Sequence, residues 1–151
     1  MTVLARLRGG LPARAFVSPQ PARSLLEIAI ENAVEGCVRE TYGALLGAHQ
    51  AAYATDRAIR HEMARIAADE ARHAALSHSV HGWLMAQLDE TERARVFDAQ
   101  REAMEQLARD CAATPLDHAT RAAAGLPCGE RAIALFDELE RALWAPALAH
   151  G

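Results

Sequence analysis

Apolar residues recur at helical intervals through two long stretches of the sequence, and this periodicity constrains the fold more than any other feature. The first stretch begins at Ser24, with Glu27 three residues later in the spacing of a helix capping box, and runs to about Tyr53. The second begins near Asp56 and runs to about Leu88. Because the connection between them is short, we expect the two helices to form an antiparallel hairpin.

The second half of the chain has a weaker helical pattern. A third segment begins at Asp89 and fades near Ala113, and a last segment covers about 130–144 before Pro146. Between them, residues 114–129 carry prolines and glycines and have room for one short helix. Strands favour β-branched and aromatic residues, whereas aromatics make up only 5% of this sequence. We therefore predict an all-α fold, an antiparallel four-helix bundle built from two helical hairpins.

Length and composition restrict the class of protein. A chain of 151 residues fits one domain, and we assign residues 24–148 to the bundle and residues 1–23 to a flexible N-terminal arm. The net charge of −4 argues against a nucleic-acid surface, and no apolar run reaches the roughly 20 residues of a membrane span. Three cysteines without a C-x-x-C pair argue against a disulfide framework or a zinc–thiolate site. We expect a cytoplasmic protein.

An acid and an imidazole one helical turn apart suggest a metal site in the second stretch. Residues i and i+3 share a helix face, so Glu70 and His73 can offer a carboxylate oxygen and a ring nitrogen to one ion. Counting outward from the turn places Glu35 of the first stretch roughly level with Glu70. In an α-helix, Glu40 lies about 140° round from Glu35 and should face elsewhere. This geometry favours Glu35 as the facing carboxylate.

These residues lie in strings that resemble a known family. EGCVRETY, which begins at Glu35, and DEARHA, which contains Glu70 and His73, resemble the first half of the ferritin-like superfamily, in particular its rubrerythrin-like and small di-iron carboxylate members. In that family a first-helix Glu, often with a Tyr seven residues later, faces a Glu-x-x-His, and the pattern repeats around two irons. The resemblance implies Glu35, Glu70 and His73 as metal ligands, with Tyr42 nearby.

The second half departs from the family pattern. FDELERAL aligns with the Glu-x-x-His string but has Glu138 followed by Arg141 in place of the histidine, and EQLARDC places Glu105 opposite Glu35. An arginine stays protonated and cannot bind a metal ion. The resemblance thus implies Glu105 and Glu138 as further ligands of a partial site. A second copy of the chain could also complete the site, since a two-fold axis duplicates any ligand set.

Two functions from different classes remain open. Carboxylate and imidazole ligands suit iron (Fe2+/Fe3+) or manganese, and the resemblance implies a non-haem metal protein with oxidase or ferroxidase chemistry, a di-iron oxidoreductase. The alternative is a metal-free ferritin-like bundle with a structural or interaction role, in which Arg141 pairs with Glu70 or Glu138. No residue pattern names a substrate.

Overall fold

The computed structural model describes residues 21–113 and 116–144, with backbone only for residues 111–113. Most of the predicted N-terminal arm and the last four residues of the predicted bundle lie outside these ranges. The described residues are helical and contain no strand, which confirms the all-α class. The helices are α1 (Leu25–Glu31, π-helical Asn32–Glu40 and Thr41–Tyr53, in unbroken succession), α2 (Arg57–Met85), α3 (Glu90–Ala113), α4 (His118–Ala124) and α5 (Gly129–Leu139, continuing as the π-helical turn Glu140–Trp144).

Polar caps set the starts of the first three helices. The predicted capping box is confirmed, because Glu27 N donates to Ser24 Oγ at 3.2 Å and Ser24 N donates to Glu27 Oε2 at 2.7 Å. Asp56 accepts from two backbone N–H groups in the first turn of α2. Asp89 accepts from Glu92 N at 2.8 Å at the start of α3. Such caps satisfy N–H groups that a helix leaves unpaired at its start, so each beginning is locally encoded.

Helices α1 and α2 pack against each other at two small-residue contacts. Gly47 of α1 faces Ala67 of α2, and Gly36 of α1 faces Ser77 of α2. The earlier glycine of α1 contacts the later residue of α2, so the two helices run antiparallel, as the short connection between them predicts. A Cβ atom on Gly36 would lie less than 3.0 Å from the Ser77 side chain. Glycine at this position therefore brings the two backbones close together.

Two apolar clusters form the core, and α1 contributes to both. One joins the N-terminal part of α1 to the end of α2 and the start of α3, and the other joins the middle of α1 to α3 and α5. Burying each large apolar side chain stabilises the fold by about 1.5–3 kcal/mol. The buried members are Ala29, Ala33, Leu84, Leu88 and Val96 in the first cluster, and Val38, Tyr42, Ala103, Met104, Phe136 and Trp144 in the second.

The short helix α4 closes against the turn between α1 and α2. Gly125 ends α4 with a φ of 64°, a conformation that favours glycine, and a Cβ atom there would lie less than 3.0 Å from the Ala54 backbone. Thr55 N donates to Ala122 O at 3.0 Å, and His49 Nδ1 lies 3.0 Å from Gly125 O. These bonds tie the connection between α3 and α5 to the first hairpin.

No helix in the described part of the chain is both long and apolar enough to cross a bilayer.

Candidate metal centre

The π-helical segment of α1 brings two carboxylates to the α2 side. Its hydrogen bonds run from residue i to residue i+5, so residues five apart lie nearer to one face than they do in an α-helix. Glu35 and Glu40 are five apart, and together with Glu70 they line a groove of about 380 Å³ between the two helices. The expectation that Glu40 faces elsewhere is therefore wrong, because it assumed α-helical geometry throughout α1.

Three side chains from the two helices offer ligand atoms to a common point. One ligand atom from each of Glu40, Glu70 and His73 lies within 4.8 Å of the other two. Glu70 Oε2 and His73 Nδ1 are 3.7 Å apart. Two ligand atoms at about 2.1 Å from one first-row ion are at most about 4.2 Å apart, so closing the group takes movements of roughly half an ångström. Within the described residues this is the one such group of three.

The group lies at the surface of the helix pair. The side chain of Glu70 is 32% exposed and that of His73 is 59% exposed, so water reaches both. Ser77 Oγ donates to Glu40 Oε2 at 3.2 Å and orients that carboxylate. Neither Glu40 nor Glu70 forms an ion pair with an arginine in the described part of the chain. The two negatively charged carboxylates can therefore neutralise the charge of a bound divalent cation.

Glu35, the carboxylate favoured by the sequence, lies in the same groove but outside this group of three. Its side chain is 54% exposed, and Arg39 Nη1 lies 2.7 Å from its Oε1 atom. Tyr42, expected near the metal, is buried in the cluster that α1 forms with α3 and α5. Glu40 is therefore the residue of α1 that the structure groups with Glu70 and His73, and Glu35 lies outside that group.

The two carboxylates predicted from the second half point away from the core and do not join the group. Glu105 lies 3.8 Å from Arg109, and Glu138 lies 3.5 Å from Arg131. Both carboxylates are exposed, because the buried faces of α3 and α5 are occupied by apolar side chains. Arg141 is also exposed, and Glu138 pairs with Arg131 instead of with it. In the described structure, Glu105 and Glu138 therefore do not contribute further ligands to the Glu40–Glu70–His73 group.

A buried hydrogen bond connects the two π-helical segments behind the site. Trp144 Nε1 donates to Cys37 O at 3.0 Å, and both residues are fully buried. Burial raises the pKa of the Cys37 thiol to about 12, with a further contribution from the negative charge of Glu40. The thiol is therefore a neutral packing group near neutral pH.

Two histidines farther along α2, His78 and His81, are partly buried. His78 Nε2 lies 3.3 Å from Thr41 Oγ1, and burial lowers the pKa of His78. Burial, and then the neighbouring His78, lower the pKa of His81, whose Nδ1 atom is buried without a hydrogen-bond partner among the described residues. These rings favour the neutral form in the folded protein.

The helical fold and the Glu–Glu–His group define an all-helical protein with a candidate metal centre. No protein-family model matches this chain, and no curated protein or solved structure matches it. Membership of the ferritin-like superfamily therefore stays a prediction.

Proposed function

We propose that this chain is a ferritin-like helical protein that binds iron or manganese through Glu40, Glu70 and His73. The observation that carries the proposal is the convergence of two carboxylates and one imidazole on a shared point, where neither carboxylate forms an ion pair with an arginine among the described residues. Mixed oxygen and nitrogen ligands of this kind suit Fe2+ and Mn2+. Glu70 and His73 come from one turn of α2, and Glu40 comes from the π segment of α1.

The π segment supports a functional role for this place in the fold. π-Helical turns are rare, and they are frequent at functional sites. Here the segment contains both Glu35 and Glu40, which line one groove together with Glu70 of α2. Gly36, in the same segment, sets the close approach of α1 to α2. The backbone irregularity and the ligand group therefore fall together.

Three protein ligands leave coordination positions open, and this supports chemistry at the bound ion. Water or dioxygen can occupy the open positions, so the proposal includes oxidase or ferroxidase chemistry at a site with one or two metal ions. The exposure of His73 also leaves room for a second copy of the chain to approach, and a two-fold axis would then pair two identical ligand sets. An antiparallel ferritin-like arrangement of α1, α2, α3 and α5 is part of this proposal.

Metal titration of single-site variants tests the proposed function. Apoprotein is titrated with Mn2+ while free Mn2+ is followed by electron paramagnetic resonance, and anaerobically with Fe2+. We expect saturable binding that weakens by at least about tenfold in Glu40→Gln and in Glu70→Gln. Glu105→Gln and Glu138→Gln are matched controls, because both remove an exposed carboxylate from a helix without touching the site.

The titration has outcomes that separate the two functional classes. If wild-type protein binds neither ion, or if the site variants bind as tightly as the controls, the metal proposal fails. A metal-free bundle with a structural or interaction role would then be the remaining function. Metal analysis of protein purified from iron-supplemented medium, with Glu70→Ala alongside, gives an independent answer.

A further inference from the structure

One ion pair lies within the groove that contains the candidate metal centre. Arg39 and Glu35 both line this groove, together with Glu40 and Glu70. Arg39 Nη1 lies 2.7 Å from Glu35 Oε1, and both side chains are more than half exposed. The groove therefore contains three carboxylates and one guanidinium. The guanidinium of Arg39 pairs with Glu35, the carboxylate that is not part of the Glu40–Glu70–His73 group.

We propose that Arg39 regulates the metal affinity of this site by competing with the ion for Glu35. Without metal, Arg39 keeps the Glu35 carboxylate at the rim of the groove. When an ion binds to Glu40, Glu70 and His73, Glu35 leaves Arg39 and joins the ion as a fourth protein ligand. The inference rests on the proposed metal-binding function and adds a specific regulator to it.

The strength of the ion pair makes such an exchange feasible. An exposed ion pair between residues four apart on one helix is weak, because water solvates both partners and both side chains lose freedom on pairing. A divalent ion held by two other carboxylates attracts a third carboxylate more strongly than one solvated guanidinium does. Glu35 lines the same groove as Glu40 and Glu70, and its side chain is 54% exposed, so solvent leaves room for the side chain to rotate.

The positive charge of Arg39 disfavours metal binding, as does its ion pair with Glu35. With Arg39 in place, the groove presents one positive charge to an incoming cation, and this charge lowers the local cation concentration. Removing the charge should favour metal binding, whereas removing most surface arginines should not. The sign of this effect is the most specific consequence of the inference.

A double-mutant cycle in Mn2+ binding tests the inference. We expect Arg39→Gln to tighten the Mn2+ dissociation constant by about fivefold at low ionic strength, because it frees Glu35 and removes a competing charge. Glu35→Gln should weaken binding, and most of the gain from Arg39→Gln should disappear in the Glu35→Gln background. Arg109→Gln is the matched control, because Arg109 also pairs with a glutamate four residues earlier, Glu105, but on α3.

A second readout separates ligation from charge alone. Water-proton relaxation of bound Mn2+ counts the exchangeable water molecules on the ion. The wild-type and Arg39→Gln proteins should give the same count, and Glu35→Gln should give one more, because a water replaces the missing carboxylate. Circular dichroism of each variant verifies that its helices are intact.

The outcomes distinguish this inference from the function on which it rests. If Mn2+ binds with dependence on Glu40 and Glu70 but Arg39→Gln leaves affinity unchanged or weakens it, only the regulatory role of Arg39 is refuted. An equal gain from Arg39→Gln with and without Glu35 would also refute it, because the effect would then bypass Glu35. Absence of any binding in wild type would refute both the function and the inference.

Discussion

Substituting Gly36 with alanine tests the close contact that brings the π segment to α2. The added Cβ would lie less than 3.0 Å from both the Cβ and the Oγ of Ser77, a distance that real Cβ atoms essentially never show. The two backbones would have to separate by roughly 1 Å, since packed interiors leave no spare volume. The same crossing includes the hydrogen bond from Asn32 Nδ2 to Ser77 O at 3.0 Å and that from Ser77 Oγ to Glu40.

The free energy of unfolding should fall despite the better helix propensity of alanine. Overpacking costs about 1–3 kcal/mol, and replacing a glycine within a helix returns about 0.5–1 kcal/mol. The net loss should therefore lie between about 0 and 2.5 kcal/mol. Gly43→Ala is the matched control in the same helix, because a Cβ atom there meets nothing within 4 Å. That variant should be as stable as wild type or more stable by up to about 1 kcal/mol.

Urea unfolding followed by circular dichroism measures both variants, with the midpoint compared at constant m. Gly36→Ala should also weaken Mn2+ binding, because separation of the helices moves Glu40 away from Glu70. The double variant Gly36→Ala/Ser77→Gly should recover part of the stability, since it removes the atoms that the new Cβ meets. If Gly36→Ala is as stable as Gly43→Ala, the helices do not approach as described and the reasoning is refuted.

Three further predictions concern buried groups. Trp144→Phe should cost about 2–4 kcal/mol in urea unfolding, since it removes volume and a buried hydrogen bond, whereas Trp83→Phe, at a residue that is 59% exposed, should change stability by less than about 0.5 kcal/mol. Equal losses in the two variants would contradict the buried position of the first tryptophan. Between about pH 9 and pH 12 the free energy of unfolding should fall by up to about 1.4 kcal/mol per pH unit, because folded Cys37 retains a proton that the unfolded thiol has lost. Cys37→Ala should remove this part of the pH dependence, and an identical pH dependence in the two proteins would contradict the raised pKa. As the pH falls below about 6.5, the free energy of unfolding should fall, because unfolded imidazoles take up protons more readily than the partly buried rings of His78 and His81. The double variant His78→Gln/His81→Gln should show a weaker pH dependence, and an unchanged pH dependence would contradict the burial of both rings.

Local features of the fold could be predicted from the sequence because they depend on neighbouring residues. Ser24, Asp56 and Asp89 all cap helices at or next to the positions that their types and spacing indicate. The pairing of Glu70 with His73 is likewise local, since an i, i+3 spacing on a helix determines it. Neither the caps nor this pair depends on how the helices pack.

Which carboxylate of α1 meets Glu70 and His73 depends on tertiary structure and cannot be predicted from an ideal helix. Contacts far apart in sequence accompany the π segment, including the approach of Gly36 to Ser77 and the bond from Trp144 to Cys37 O. In the structure Glu40, and not Glu35, has a ligand atom within 4.8 Å of those of Glu70 and His73. The sequence contains one weak signal of the π segment. Some buried apolar positions of α1 are five residues apart, whereas an α-helix repeats every 3.6 residues.

The carboxylates of the second half show why an internal resemblance is a poor guide to burial. Glu105 and Glu138 were predicted from alignment with the first hairpin. In the structure, α3 and α5 bury apolar faces, and both acids lie on the opposite, solvated side next to arginines. Similar spacing in two halves does not ensure that matching residues face the same way.

The position of a bound ion is the most direct test of the central claim. Crystals soaked in Mn2+ or in anaerobic Fe2+ would be measured at the absorption edge of the metal, so that anomalous scattering locates the ion independently of its ligands. We predict one ion at about 2.0–2.3 Å from a carboxylate oxygen of Glu40, a carboxylate oxygen of Glu70 and a ring nitrogen of His73. An anomalous peak at Glu105 or Glu138 instead, or no peak between α1 and α2 at saturating metal, would contradict the account.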